Sequence, residues 1–193
     1  MAKREAPRVI AGIADHAGWA VVVCVAGEEV VDRRRIELIE PGLPNLAYHH
    51  DAQHMPLDEA VALIERVRQS AEACARRELA ALPAGVAGIA IRKRPKLPAT
   101  IAERIADYRA QCVADTVMMR DALEKAARAR GWTVCEYEPK AVLALDGMSA
   151  RLAELGKALG APWGKDQQMA TAAALSVGSL RHGDGSLKPG RRV

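Results

Sequence analysis

The chain has 193 residues, with 28 basic and 24 acidic side chains and a net charge of +4. Half of it is apolar and 27% is charged, which excludes a disordered or collagen-like chain. A chain of this length buries roughly 70% of its unfolded surface, so it needs neither disulfides nor a structural metal to hold a core.

Aromatic residues make up only 3% and Phe is absent, so Ala, Val, Ile and Leu must fill that core. The same scarcity argues against a single-strand binder built on stacked rings. The four cysteines, Cys24, Cys74, Cys112 and Cys135, are far apart and form no CxxC. They read as small apolar fillers in a reducing compartment. The first residues, MAKREAPR, are not followed by the apolar run of a signal peptide, and no apolar stretch reaches the length of a membrane span. A cytoplasmic address is expected, with no membrane partner.

Three strands are expected first. Residues 8–14 (RVIAGIA) form an apolar run ending at Asp15, residues 19–26 (WAVVVCVA) are rich in valine, and residues 29–39 follow a Gly27-Glu28 turn. Joined by short turns, they form an antiparallel meander. Residues 40–55 read as a loop, and Pro56 opens a helix to about Leu82. Residues 85–92 (GVAGIAIR) are almost wholly apolar, as in a strand buried on both faces. Thr100 and Glu103 make a capping box for the longest helix, expected to run to about Arg130 with Ile101, Ile105, Tyr108, Cys112, Met119 and Leu123 as its buried stripe. A fifth strand is expected at 132–137, a short helix at 147–160, and an Ala-rich helix from Asp166 to about Leu180.

The order β-β-β-α-β-α-β-α implies an α/β fold: a mixed five-stranded sheet with helices on both faces. One domain is expected over 8–181, followed by a flexible basic tail at 182–193.

This order resembles the ribonuclease H-like superfamily, and its Holliday-junction resolvase type above all. Strand one ends in GIAD, with Asp15 where the superfamily places its first metal-binding carboxylate. The last helix opens WGKDQQMATAAAL, similar to the resolvase pattern of an acid beginning an Ala-rich helix, and VCEYEPKAV is similar to the family's fifth strand and exit. The resemblance implies a Mg²⁺-dependent (or Mn²⁺-dependent) nuclease acting on structured or duplex nucleic acid, with a homodimer as its assembly. In that chemistry two metal ions clamp the attacking and leaving oxygens, and their carboxylate ligands converge from separate elements.

The expected metal ligands are Asp15, Asp166 and Glu136, and the expected catalytic residues are Asp15, Asp166, Glu138 and His50. Two departures stand out. The acid the family carries at the end of strand four is replaced by IRKRP, with Arg92 and Lys93, and the place three residues after Asp166 is Met169. Arg92, Lys93, Arg94, Lys96 and Lys165 are the expected nucleic-acid contacts, since cations on phosphates supply sequence-independent affinity. The segment YHHDAQH adds His49, His50, Asp51 and His54, where an imidazole with Asp51 would suit a general base.

Each of these has a plainer alternative. Asp15 precedes Gly18 as a turn residue would, Asp166 stands where helix caps stand, and a His-rich loop or basic run is often only solvated surface. A degenerate member of the fold, binding or assembling without hydrolysis, is therefore the competing function. A third reading rests on Asp15-x-x-Gly18, similar to the phosphate loop of actin-like and sugar-kinase ATPases, which pair two such domains where 193 residues hold one.

Overall fold

The computed structural model describes residues 8–179; the expected tail at 182–193 lies outside them. Three strands come first, β1 (Val9–Asp15), β2 (Trp19–Ala26) and β3 (Glu29–Glu37). A loop with a single 3-10 turn at Asp51–His54 leads to α1 (Leu57–Ala80), with Pro56 at its N-cap. Then come β4 (Val86–Arg92), α2 (Ile101–Ala106), α3 (Tyr108–Ala129), β5 (Thr133–Tyr137), α4 (Pro139–Leu143), α5 (Met148–Leu159) and α6 (Lys165–Ser179).

The strands form one five-stranded sheet in the order β3-β2-β1-β4-β5. β2 is antiparallel to both β1 and β3, while β4 is parallel to β1 and β5. Successive side chains of a strand point to opposite faces, and the core divides accordingly. Val9, Ala11 and Ile13 of β1 pack with α1 and α3, whereas Ile10 and Ala14 pack with α4, α5 and α6. On the second face α6 comes down directly onto β1. A Cβ at Gly12 would overlap the Ala170 carbonyl oxygen, so the missing side chain sets the spacing between helix and strand. Ala170, Ala172, Ala173 and Ala174 then close the interface without large side chains.

Two expectations are corrected. The long helix at 100–130 is broken at Asp107, whose extended backbone caps α3 while its side chain accepts from Arg109 N. A short acidic side chain competes for backbone donors and favours caps over helix interiors. The capping box at Thr100 and Glu103 is present, but it opens only the six-residue α2. The break also turns the buried stripe: Met119 and Leu123 are buried, Cys112 is exposed and Tyr108 is 68% exposed. The longest helix among the described residues is therefore α1, with 24 residues. The second correction is α4, absent from the sequence reading. Pro139 stands at its first turn, where a residue without an N–H fits well.

Candidate functional site

The carboxyl ends of the parallel strands β1, β4 and β5 meet at one end of the sheet, the end where open α/β sheets form ligand crevices. Asp15 closes β1 there. It has the same parity as Ile13 and so turns toward α3, where Arg120 meets it. Arg120 Nε donates to Asp15 Oδ2 over 2.7 Å, with the two side chains 6% and 1% exposed. The guanidinium is held further by weaker bonds to the Lys93 carbonyl at 3.4 Å and the Thr116 hydroxyl at 3.5 Å. Asp15 Oδ1 is buried and has no hydrogen-bond partner.

The other face of the same strand ends carries different groups. Ala90 belongs to the α6 side of the core, so alternation puts Arg92 on that side as well. Its register partner is Tyr137, whose hydroxyl donates to the Ile13 carbonyl over 2.8 Å. Burial pushes the Tyr137 phenol up to about 12, with the neighbouring Arg92 guanidinium acting in the opposite sense. On the same side, His16 Nε2 lies 3.1 Å from Asp166 Oδ1. The His16 ring stacks on Trp19 with centroids 4.0 Å apart, and the Arg35 guanidinium also lies 4.0 Å from that indole.

The remaining predicted residues are scattered among other partners. Glu136 lies 2.6 Å from Arg94, which also binds Asp121 at 2.7 Å and pairs with Glu124. Arg94 is thus a cross-link between β4's exit, α3 and β5. Glu138 lies 3.6 Å from Lys93. Lys96 and Lys165 are exposed. His50 is largely exposed, 3.8 Å from Asp51, and no hydrogen bond or ion pair joins it to Asp15 among the described residues.

Its loop is anchored elsewhere, because the backbone N–H groups of Tyr48 and His49 both donate to the Asp115 carboxylate on α3. Burial raises the Asp115 carboxyl to about 6, against the pull of those two bonds. Arg120, Asp115, His16 and Tyr137 were all missed by the sequence reading. Two charged residues on the buried face of α3 were the available signal for the first two.

The residues expected by resemblance as Mg²⁺ ligands, Asp15, Asp166 and Glu136, are not grouped together in this structure. A hard divalent cation needs several oxygens converging on one point. Asp15 faces α3 and is already matched by a cation, Asp166 belongs to α6 on the opposite face, and Glu136 is held by Arg94. Among the described residues no three His, Cys, Asp or Glu side chains are grouped to hold a metal ion. The free Asp15 Oδ1 is a single donor beside a guanidinium.

The fold so described, a mixed five-stranded sheet covered by helices, is the ribonuclease H-like fold. A solved structure of Thermus thermophilus RuvC in complex with Holliday junction substrate is similar over 91% of this chain and 96% of that one, at 17% identity and a TM-score of 0.54. A second Thermus thermophilus RuvC structure is 16% identical over 90% of this chain and 96% of that one, with a TM-score of 0.49. No family model matches the chain, and no curated protein does. No helix among the described residues is long and apolar enough to cross a membrane.

Proposed function

We propose that this protein binds duplex or branched nucleic acid at the carboxyl end of its sheet and does not hydrolyse it by metal ions. The observation that carries the second half is the buried pair of Arg120 and Asp15 at 2.7 Å. A guanidinium is permanently charged, so it occupies electrostatically the place a metal would need. Arg92 at the end of β4 adds a second positive charge, and a metal ion brought there would be repelled by both. The hydrolytic reading implied by the resemblance would need Asp15, Asp166 and Glu136 or Glu138 to converge, and each has a different partner. His50 forms no hydrogen bond or ion pair with Asp15 among the described residues.

The first half rests on charge and on the fold. Lys93, Lys96 and Lys165 are exposed cations on the loops and helix start at this end, and the RuvC structure of similar fold holds a Holliday junction. Arg94 leaves the set of contacts, because three carboxylates already hold it. The reading keeps the cytoplasm as the address, supported by four free thiols, and a homodimer as the assembly, which would suit a symmetric branched substrate. Gel-shift and anisotropy titrations with four-way junction, linear duplex and single-stranded DNA and RNA, all in excess EDTA, test it. Salt-sensitive binding without divalent ions supports the proposal. No binding to any of these under low salt overturns it.

A further inference from the structure

We infer that Arg92 is the seat of a phosphate oxyanion, bound without a metal ion on the α6 side of the strand ends. This deepens the proposed function by naming the contact within the same site. Arg92 is half-buried, and its Nε is buried with no hydrogen-bond partner. The other half-buried arginines, Arg33, Arg34, Arg68, Arg94, Arg104 and Arg151, each donate to a carboxylate or a backbone carbonyl. Removing a guanidinium from water without a counter-charge is costly. The acid on this side, Asp166, lies beside His16 and forms no ion pair with Arg92. Asp15 is within electrostatic reach of the same Tyr137 phenol but is paired with Arg120, so Arg92 stands as a partly desolvated cation in no ion pair with a described side chain.

The surroundings favour an oxyanion. Tyr137 uses its hydroxyl hydrogen on the Ile13 carbonyl, so only its lone pairs face the guanidinium. The phenol thus steadies Arg92 without supplying charge. A guanidinium offers a planar fork of donors that matches two oxygens of a phosphate. Lys93 follows directly and is 60% exposed, with Glu138 3.6 Å away in an equally solvated pair that an arriving anion could compete with.

Two sources share this chemistry, a nucleic-acid phosphodiester and free phosphate, and the experiment separates them. Junction DNA binding in EDTA is measured against salt for the wild type, Arg92→Gln, Arg92→Lys and a control, Arg76→Gln, on the exposed side of α1. Arg92→Gln should weaken binding about tenfold, as loss of a hydrogen bond to a charged group does, and should lower the salt slope by about 0.9. Arg92→Lys should keep the slope and lose part of the affinity, and Arg76→Gln should match wild type.

In parallel, the ¹⁵N-labelled Nε–Hε resonance of Arg92 is followed in the wild type during titration with DNA or inorganic phosphate. This arm decides the matter if Arg92→Gln fails to fold. Wild-type affinity and slope in a folded Arg92→Gln would overturn the inference and leave the proposed function standing. If the wild type binds no DNA, the proposed function fails, and a saturable phosphate shift at Arg92 would still support an oxyanion seat. A resonance moved by neither ligand overturns the inference.

Discussion

Arg120 on α3 reaches across 105 residues of sequence to Asp15 at the end of β1, and the two side chains pair 2.7 Å apart with almost no exposure. In the proposed function this contact takes up the Asp15 charge at the strand end. An aspartate free at that position would invite a hard cation, whereas one matched by a fixed guanidinium has its charge satisfied.

The pair should be costly to break by halves. Arg120→Met leaves Asp15 buried beside no cation and should reduce the unfolding free energy by about 3–5 kcal/mol. Asp15→Leu combined with Arg120→Met removes both charges and should recover most of that loss, because replacing a buried pair with apolar side chains is often neutral. Urea denaturation of the three proteins measures this. A single variant as stable as wild type would show that the pair is not formed.

Arg33 separates structural cations from ligand-binding ones. It sits in an Arg33-Arg34-Arg35 triplet that looks like a basic patch, but the β2–β3 register sends neighbouring arginines to opposite faces. Arg33 donates to the carbonyls of Leu159, Gly160 and Pro162, each at 2.8 Å, and so caps the end of α5. Arg33→Met should cost about 2–3 kcal/mol, as loss of charged hydrogen bonds to otherwise unpaired carbonyls does. Nucleic-acid affinity of the folded variant should stay at the wild-type level. Thermal unfolding and junction binding on the same sample check both parts.

Asp115 predicts a pH dependence. Burial raises its carboxyl from 3.8 to about 6 in the folded protein. Between those values the folded state holds a proton that the unfolded state has released, so stability falls as pH rises from about 4 to 6. Asp115→Asn keeps an oxygen for the Tyr48 or His49 N–H but cannot ionise. The stability difference between the two proteins should therefore shift toward the variant across that window, by at most about 3 kcal/mol, and level off above it. Urea midpoints at pH 4, 5, 6 and 7 measure the difference. A constant difference would mean that Asp115 titrates as it does in water.

Much of the scaffold was legible because it is local. The valine run of β2 matches its strand at 19–26, and Pro56 stands immediately before α1. The apolar β4 does lie between two neighbours, with a parallel crossover on each side. Asp15 and Asp166 were placed at a strand end and a helix start, and they occupy those positions.

What escaped depends on distant contacts. The helix break at Asp107 is a choice between a cap and a continuous turn, and tertiary packing decides it. With the break unseen, the buried stripe was drawn through Tyr108 and Cys112, and Arg120 fell outside it. Its partner lies in the first strand, so no spacing within α3 could reveal it. Glu136 and Arg94 show the same limit, since a carboxylate and a basic run that read as ligand groups bind each other.

In the proposed function a fixed cation, and not a metal, neutralises this end of the sheet. Isothermal titration of the wild-type protein with Mg²⁺ and with Mn²⁺, paired with incubation on labelled four-way junction DNA, tests it most directly. No saturable metal uptake is expected, and the junction should stay intact yet be bound in EDTA. Stoichiometric metal binding with junction cleavage, both abolished by Asp15→Asn in a folded variant, would contradict it.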